Sequence, residues 1–69
     1  MSSDDLRKVI LSGDELKFSR DGREYLLYGW NQCDGYILSL ECENELIWQS
    51  TPMPKADCAE HFIEYYNRI

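Results

Sequence analysis

Three cysteines and one histidine are the side chains whose chemistry would be most specific. Cys33, Cys42, Cys58 and His61 could supply a Cys3His zinc site, with Cys58 and His61 at i and i+3 of one helix. Such sites usually nucleate on a Cys-x-x-Cys knuckle, and the chain has none. Buried cysteine more often packs as a small hydrophobe. Cys58 with His61 would also make a nucleophile and its base, but the helix needs Cys58 for packing and no loop offers an oxyanion hole. His61 stands between Asp57 (i−4) and Glu64 (i+3), where a surface histidine makes weak charge contacts. Carboxylates are plentiful, yet nothing gathers two around a pocket, and so short a chain encloses little volume. Gly13, Gly22, Gly29 and Gly35 read as cap and turn residues rather than a phosphate-cradling run. The chemistry predicts no catalytic, metal or cofactor site.

The elements that would hold these residues are limited by size. The chain has 69 residues, with 13 acidic and 7 basic side chains and a net charge of −6. That length allows a single domain, which buries roughly 60% of its unfolded surface. An apolar content of 43%, with 13% aromatic, is too rich for a disordered chain. Direct binding to nucleic-acid backbone or anionic membrane needs clustered Lys and Arg, so the acidic balance argues against both. No apolar run approaches transmembrane length. Met1 to Lys8 opens with Ser and Asp rather than the pattern of a signal peptide. An odd number of cysteines suits a reducing compartment better than a secreted disulfide scaffold. The expectation is a soluble, cytoplasmic protein.

Along the chain, Ser3 reads as a helix cap, with Asp4 and Asp5 in the first turn. Leu6, Val9 and Ile10 follow at helical spacing, and Gly13 supplies the stop. From Glu15 the period becomes two. Asp21-Gly22 predicts a tight hairpin that pairs Leu16 with Leu27, Phe18 with Tyr25 and Arg20 with Arg23, the two arginines splaying into solvent. The span from Asn31 to Gly35 reads as a loop. A third strand from Tyr36 to Cys42 places Tyr36, Leu38, Leu40 and Cys42 on the core face. A three-residue loop, Glu43 to Glu45, would pair Cys42 with Leu46 and Leu40 with Trp48 in a fourth strand, Leu46 to Gln49. Pro54 then suits the start of a helix from Lys55 to Asn67, whose stripe Cys58, Phe62, Tyr65 and Ile69 is apolar. The fold class is α+β: a short N-terminal helix, a three- to four-stranded antiparallel meander and a C-terminal amphipathic helix packed on one sheet face.

Two surface features bear on function. Opposite the core stripe, Leu26, Tyr28, Trp30 and Ile37 put an apolar, aromatic patch where a one-sided meander carries polar residues. Tyr36 is counted with it as a candidate. Covering by a loop, self-association, or a protein partner would each account for the patch, and Tyr and Trp are enriched at interface hot spots. Between Arg23 and Lys55 there is no Lys or Arg, while Glu24, Asp34, Glu41, Glu43 and Glu45 all fall there. An acidic surface keeps a small protein in solution. It also offers an alternative function, in which Asp34, Glu41, Glu43 and Glu45 imitate phosphates and block a basic nucleic-acid-binding groove.

The short leading helix, Gly13-x-Glu15-x-x-Phe18, the Gly22-x-x-Tyr25 return, the meander and the closing helix resemble a loose group of small, mostly uncharacterised single-domain proteins of bacteria and their phages. The likeness runs from about Leu6 and rests on turn glycines and core aromatics. It departs in ending at Ile69, directly after the final helix. The resemblance implies this α+β fold and carries no site residues. The functional expectation is therefore non-catalytic protein–protein contact, as an adaptor or subunit, with an unknown protein or a second copy as partner. The alternative is an acidic inhibitor from a phage or mobile element.

Overall fold

The computed structural model of the protein describes residues 2–69. Its elements run α1 (Ser3–Ser12), β1 (Leu16–Arg20), β2 (Arg23–Gln32), β3 (Gly35–Cys42), β4 (Glu45–Gln49) and α2 (Lys55–Arg68). The strands form one antiparallel sheet in the order β1-β2-β3-β4. The fold is the α+β meander that the periodicity predicts, with the fourth strand paired.

Ser2, rather than Ser3, caps α1. Its side chain accepts from the Asp5 N–H at 3.2 Å and its carbonyl from the Leu6 N–H at 3.1 Å. The acids of the first turn thus sit one position further into the helix than expected, still at the positive end of its dipole. Gly13 ends the helix in the left-handed conformation.

In the first hairpin Asp21 and Gly22 both take positive φ, 54° and 77°, as a type I′ turn requires. The register is the expected one, from Leu16↔Leu27 to Arg20↔Arg23. Arg20 does not splay into solvent. Its Nη1 donates to the Tyr66 carbonyl at 2.8 Å, and its guanidinium lies 4.6 Å from the Tyr66 ring centroid. This contact removes Arg20 from Arg23 and satisfies a carbonyl in the last turn of α2.

The expected loop from Asn31 to Gly35 shrinks to the turn Cys33-Asp34, because β2 pairs onward to Gln32↔Gly35. The chain after β4 explains the extension. Met53 exchanges two backbone hydrogen bonds with Tyr36, at 2.8 and 3.2 Å, bracing the hairpin end from its other side. Gly35, at φ 147°, permits this approach: a Cβ there would fall 2.6 Å from the Met53 nitrogen.

The turn into β4 also differs. It has two residues, Glu43 and Asn44, both at positive φ, so Cys42 pairs with Glu45 and Glu41 with Leu46. A β-bulge follows. Ile47 has no partner, and Leu40↔Trp48 is restored beyond it. A three-residue loop would keep apolar side chains of β3 and β4 on one face by parity, and the bulge restores that parity at a different place. Gly29 is no cap or turn residue: it lies inside β2, opposite Leu38.

The core gathers Leu27 of β2, Tyr36, Leu38 and Leu40 of β3, Leu6 and Ile10 of α1, and Cys58, Ala59, Phe62 and Ile63 of α2. α2 rests on β3, and α1 rests on α2. Arg7 clamps the helices, donating to Glu60 at 2.5 and 3.0 Å and to Asp4 at 2.8 Å. Trp48 closes one side, stacked on Tyr65 and edge-on to Phe62. Ile69 lies beyond the helix and is exposed, outside the stripe expected for it. Full burial of Phe62 and Leu40 stabilises by roughly 1.5–3 kcal/mol each.

Candidate protein-interaction face

Both helices pack together on one side of the sheet, so among the described residues the other side carries no layer. Alternation assigns its side chains: Lys17 and Ser19 from β1, Glu24, Leu26, Tyr28 and Trp30 from β2, Ile37, Ser39 and Glu41 from β3, and Leu46 and Gln49 from β4. Cross-strand pairing sets them in rows. Lys17, Leu26, Glu41 and Leu46 form one, Tyr28, Ser39 and Gln49 the next, and Trp30 with Ile37 a third.

The sequence-predicted patch is therefore brought together for Leu26, Tyr28, Trp30 and Ile37. Trp30 is 37% exposed, and the other three are half-buried by their neighbours. Tyr36 does not belong to it. At 6% exposure it lies on the helix side, where its ring covers Gly29 and receives the Lys55 ammonium 4.9 Å from its centroid. Parity decides this: Tyr36 shares a face with Leu38 and Leu40 and cannot also share one with Ile37. Leu46, 51% exposed, joins the face from β4, which sequence reasoning missed because it placed Leu46 opposite Cys42.

The face is held in place by polar contacts of its own. The Tyr28 hydroxyl donates to Glu41 Oε2 at 2.6 Å, and the Tyr28 and Trp30 rings stack with centroids 5.9 Å apart. The Glu41 carboxylate raises the Tyr28 pKa, since it stabilises the neutral phenol, and partial burial adds to the shift. Ser39 is fully buried although no helix covers it, and its hydroxyl accepts from Gln49 Nε2 at 2.9 Å. Tyr28 and Gln49 flank it as a packed floor.

Toward the β3–β4 turn the face deepens into an open trough of about 450 Å3, lined by Lys17, Ser19, Glu24, Leu26, Glu41 and Glu43. The Glu43 N–H donates to the Glu24 carbonyl at 3.1 Å, drawing that turn against β2. Three of the face's acids thus meet in one place, which becomes legible only once the turn is known to have two residues. The candidate acidic surface is otherwise dispersed. Glu45 is paired with Cys42 on the opposite parity. Asp34 lies beyond the far end of β3, whose 8 residues span roughly 26 Å at about 3.3 Å each.

The residues considered for metal and nucleophilic chemistry are spread apart. Cys33 is exposed at the β2–β3 turn, Cys42 is buried in β3, and the Cys58 thiol donates to the Tyr36 carbonyl at 3.2 Å. His61 is exposed and borders a shallow depression of about 190 Å3 with Trp48 and Tyr65. Among the described residues, no three His, Cys, Asp or Glu converge as metal ligands, and no helix is long and apolar enough to cross a membrane. No protein-family model, curated protein or solved structure matches the chain.

Proposed function

We propose that this protein is non-catalytic and works by protein–protein contact, as an adaptor or subunit, through the uncovered face of its sheet. The observation that carries the reading is the grouping of Leu26, Tyr28, Trp30 and Ile37 on the side opposite both helices. Aromatic side chains held by their own contacts lose little rotamer freedom on binding, which favours Tyr28 and Trp30 as anchors. Three unpaired cysteines support a reducing, cytoplasmic setting. The acidic-mimic alternative has weaker support, because a phosphate-like row needs its carboxylates on one surface and Glu41 and Glu45 have opposite parity.

The test compares proteins captured from a host lysate by the wild-type chain and by Trp30→Ala, after circular dichroism shows both folded. Loss of a captured protein with Trp30→Ala is the expected result. Identical capture by both chains would remove the sheet face as the contact surface. A nucleic-acid-handling protein released from both chains by high salt would favour the acidic alternative instead.

A further inference from the structure

The uncovered face has a charge character that selects among its occupants. Besides Lys17, its charged side chains are Glu24 and Glu41, with Glu43 on the rim of the trough. Among the described residues, the ion pairs are made by Arg7 and Arg68 with Asp4, Glu60 and Glu64, so none compensates these three carboxylates. Glu41 is held by a neutral phenol, which orients it without cancelling its charge.

We infer that the occupant of this face is a protein segment with an apolar centre and lysine or arginine at its margin, and not a second copy of the chain. This rests on the sheet-face reading above and specifies its partner. A two-fold contact between copies is isologous, so the same patch meets itself. It would enclose Glu24, Glu41 and Glu43 of both copies in one interface, with only one Lys17 from each to offset them. Removing unpaired carboxylates from water is costly, and the net charge of −6 adds repulsion at longer range. A cationic segment reverses both effects. In the trough Leu26 lies beside the carboxylates, so the aliphatic stem of a lysine or arginine can cover Leu26 while its charged end meets Glu24, Glu41 or Glu43. The apolar centre of the segment then covers Tyr28, Trp30 and Ile37. Nucleic acid and anionic lipid have the wrong sign for this surface, which leaves protein as the class of partner.

The probe is a short synthetic peptide of alternating lysine and valine, titrated into the isotope-labelled chain and followed by amide chemical shifts. Matched serine–valine and glutamate–valine peptides serve as controls. The lysine peptide should bind one per chain and move the amides of Leu26, Trp30 and Ile37. The double variant Glu24→Gln/Glu43→Gln should weaken it about fivefold to tenfold, the size of two exposed ion pairs. Asp14→Asn/Asp57→Asn changes net charge equally away from the face and should weaken it by about twofold at most, since screening limits longer-range attraction. Trp30→Ser should abolish the shifts.

Equal weakening by the two double variants would overturn the inference, because diffuse charge attraction would then explain the binding. So would serine–valine binding as tight as lysine–valine, or no lysine-peptide binding at all. A concentration-dependent dimer in sedimentation equilibrium, lost with Trp30→Ser, would make the occupant a second copy and overturn it too. In the last case the sheet face stands and only its occupant changes. Failure of the face itself reads differently: no probe moves these amides, and Trp30→Ala leaves lysate capture unchanged.

Discussion

Gly29 shows how one missing methyl sets the position of a large ring. Tyr36 is diagonal to Gly29 across β2 and β3, and its ring occupies the space above the glycine. A Cβ there would lie 2.5 Å from the Tyr36 ring, closer than any side chain tolerates. Gly29→Ala should therefore destabilise the fold by about 1–3 kcal/mol, as overpacking a core does. In a Tyr36→Ala background the same substitution should cost much less, and urea denaturation of the double-mutant cycle measures the difference. Tyr28 offers a second prediction at this scale. Its pKa is raised in the folded chain, so its contribution is complete below the ordinary tyrosine value of about 10 and is lost as pH rises through the folded value. Glu41→Gln removes the responsible carboxylate and should lower the pH at which Tyr28 ionises. Ultraviolet absorbance of tyrosinate records the shift, with Tyr28→Phe identifying the step. Neither contact is written in local sequence, because diagonal and cross-strand neighbours depend on register.

Register itself was largely legible. Asp21-Gly22 requires positive φ at both positions, and that chemistry fixed the first hairpin residue by residue. Parity likewise placed Tyr36, Leu38, Leu40 and Cys42 in the core and separated them from Ile37. The second hairpin was harder to read because Cys33-Asp34 carries no such signature, and its length is set by pairing with the distant Met53. In the third, Glu43-Asn44 hid a tight turn behind two residues that seldom both take positive φ, and the bulge at Ile47 made up the missing step. Deleting Ile47 should consequently preserve Cys42↔Glu45, Glu41↔Leu46 and Leu40↔Trp48 and leave the chain folded, since alternation is then unbroken. The straightened edge of β4 should self-associate more readily, because bulges keep edge strands from pairing with other chains. Circular dichroism with light scattering tests both halves. An unfolded deletion would show that the bulge supports more than parity.

At the scale of the molecule the helices are tied by charge as well as by packing. Arg7 lowers the Glu60 pKa, chiefly through their hydrogen bond; desolvation opposes the shift, and Coulomb attraction adds to it. A lowered folded pKa contributes stability that is present above the ordinary carboxylate range and lost as pH falls through the folded value. The contribution is small, because the pair is open to solvent. Urea midpoints measured from neutral to acidic pH should therefore fall less steeply for Glu60→Gln than for the wild-type chain. A parallel fall would leave the α1–α2 contact resting on Leu6, Ile10 and their apolar partners alone.

The two tryptophans lie on opposite sides of the sheet. Trp48 is locked against Phe62 and Tyr65 beneath α2, while Trp30 stands at the open surface beside Tyr28. The chain thus carries a built-in pair of optical reporters that do not share an environment. With Trp30→Phe, the remaining indole emission follows folding; with Trp48→Phe, it follows what settles on the bare face. Occupancy and unfolding can be read as separate colours from a protein bearing no added dye.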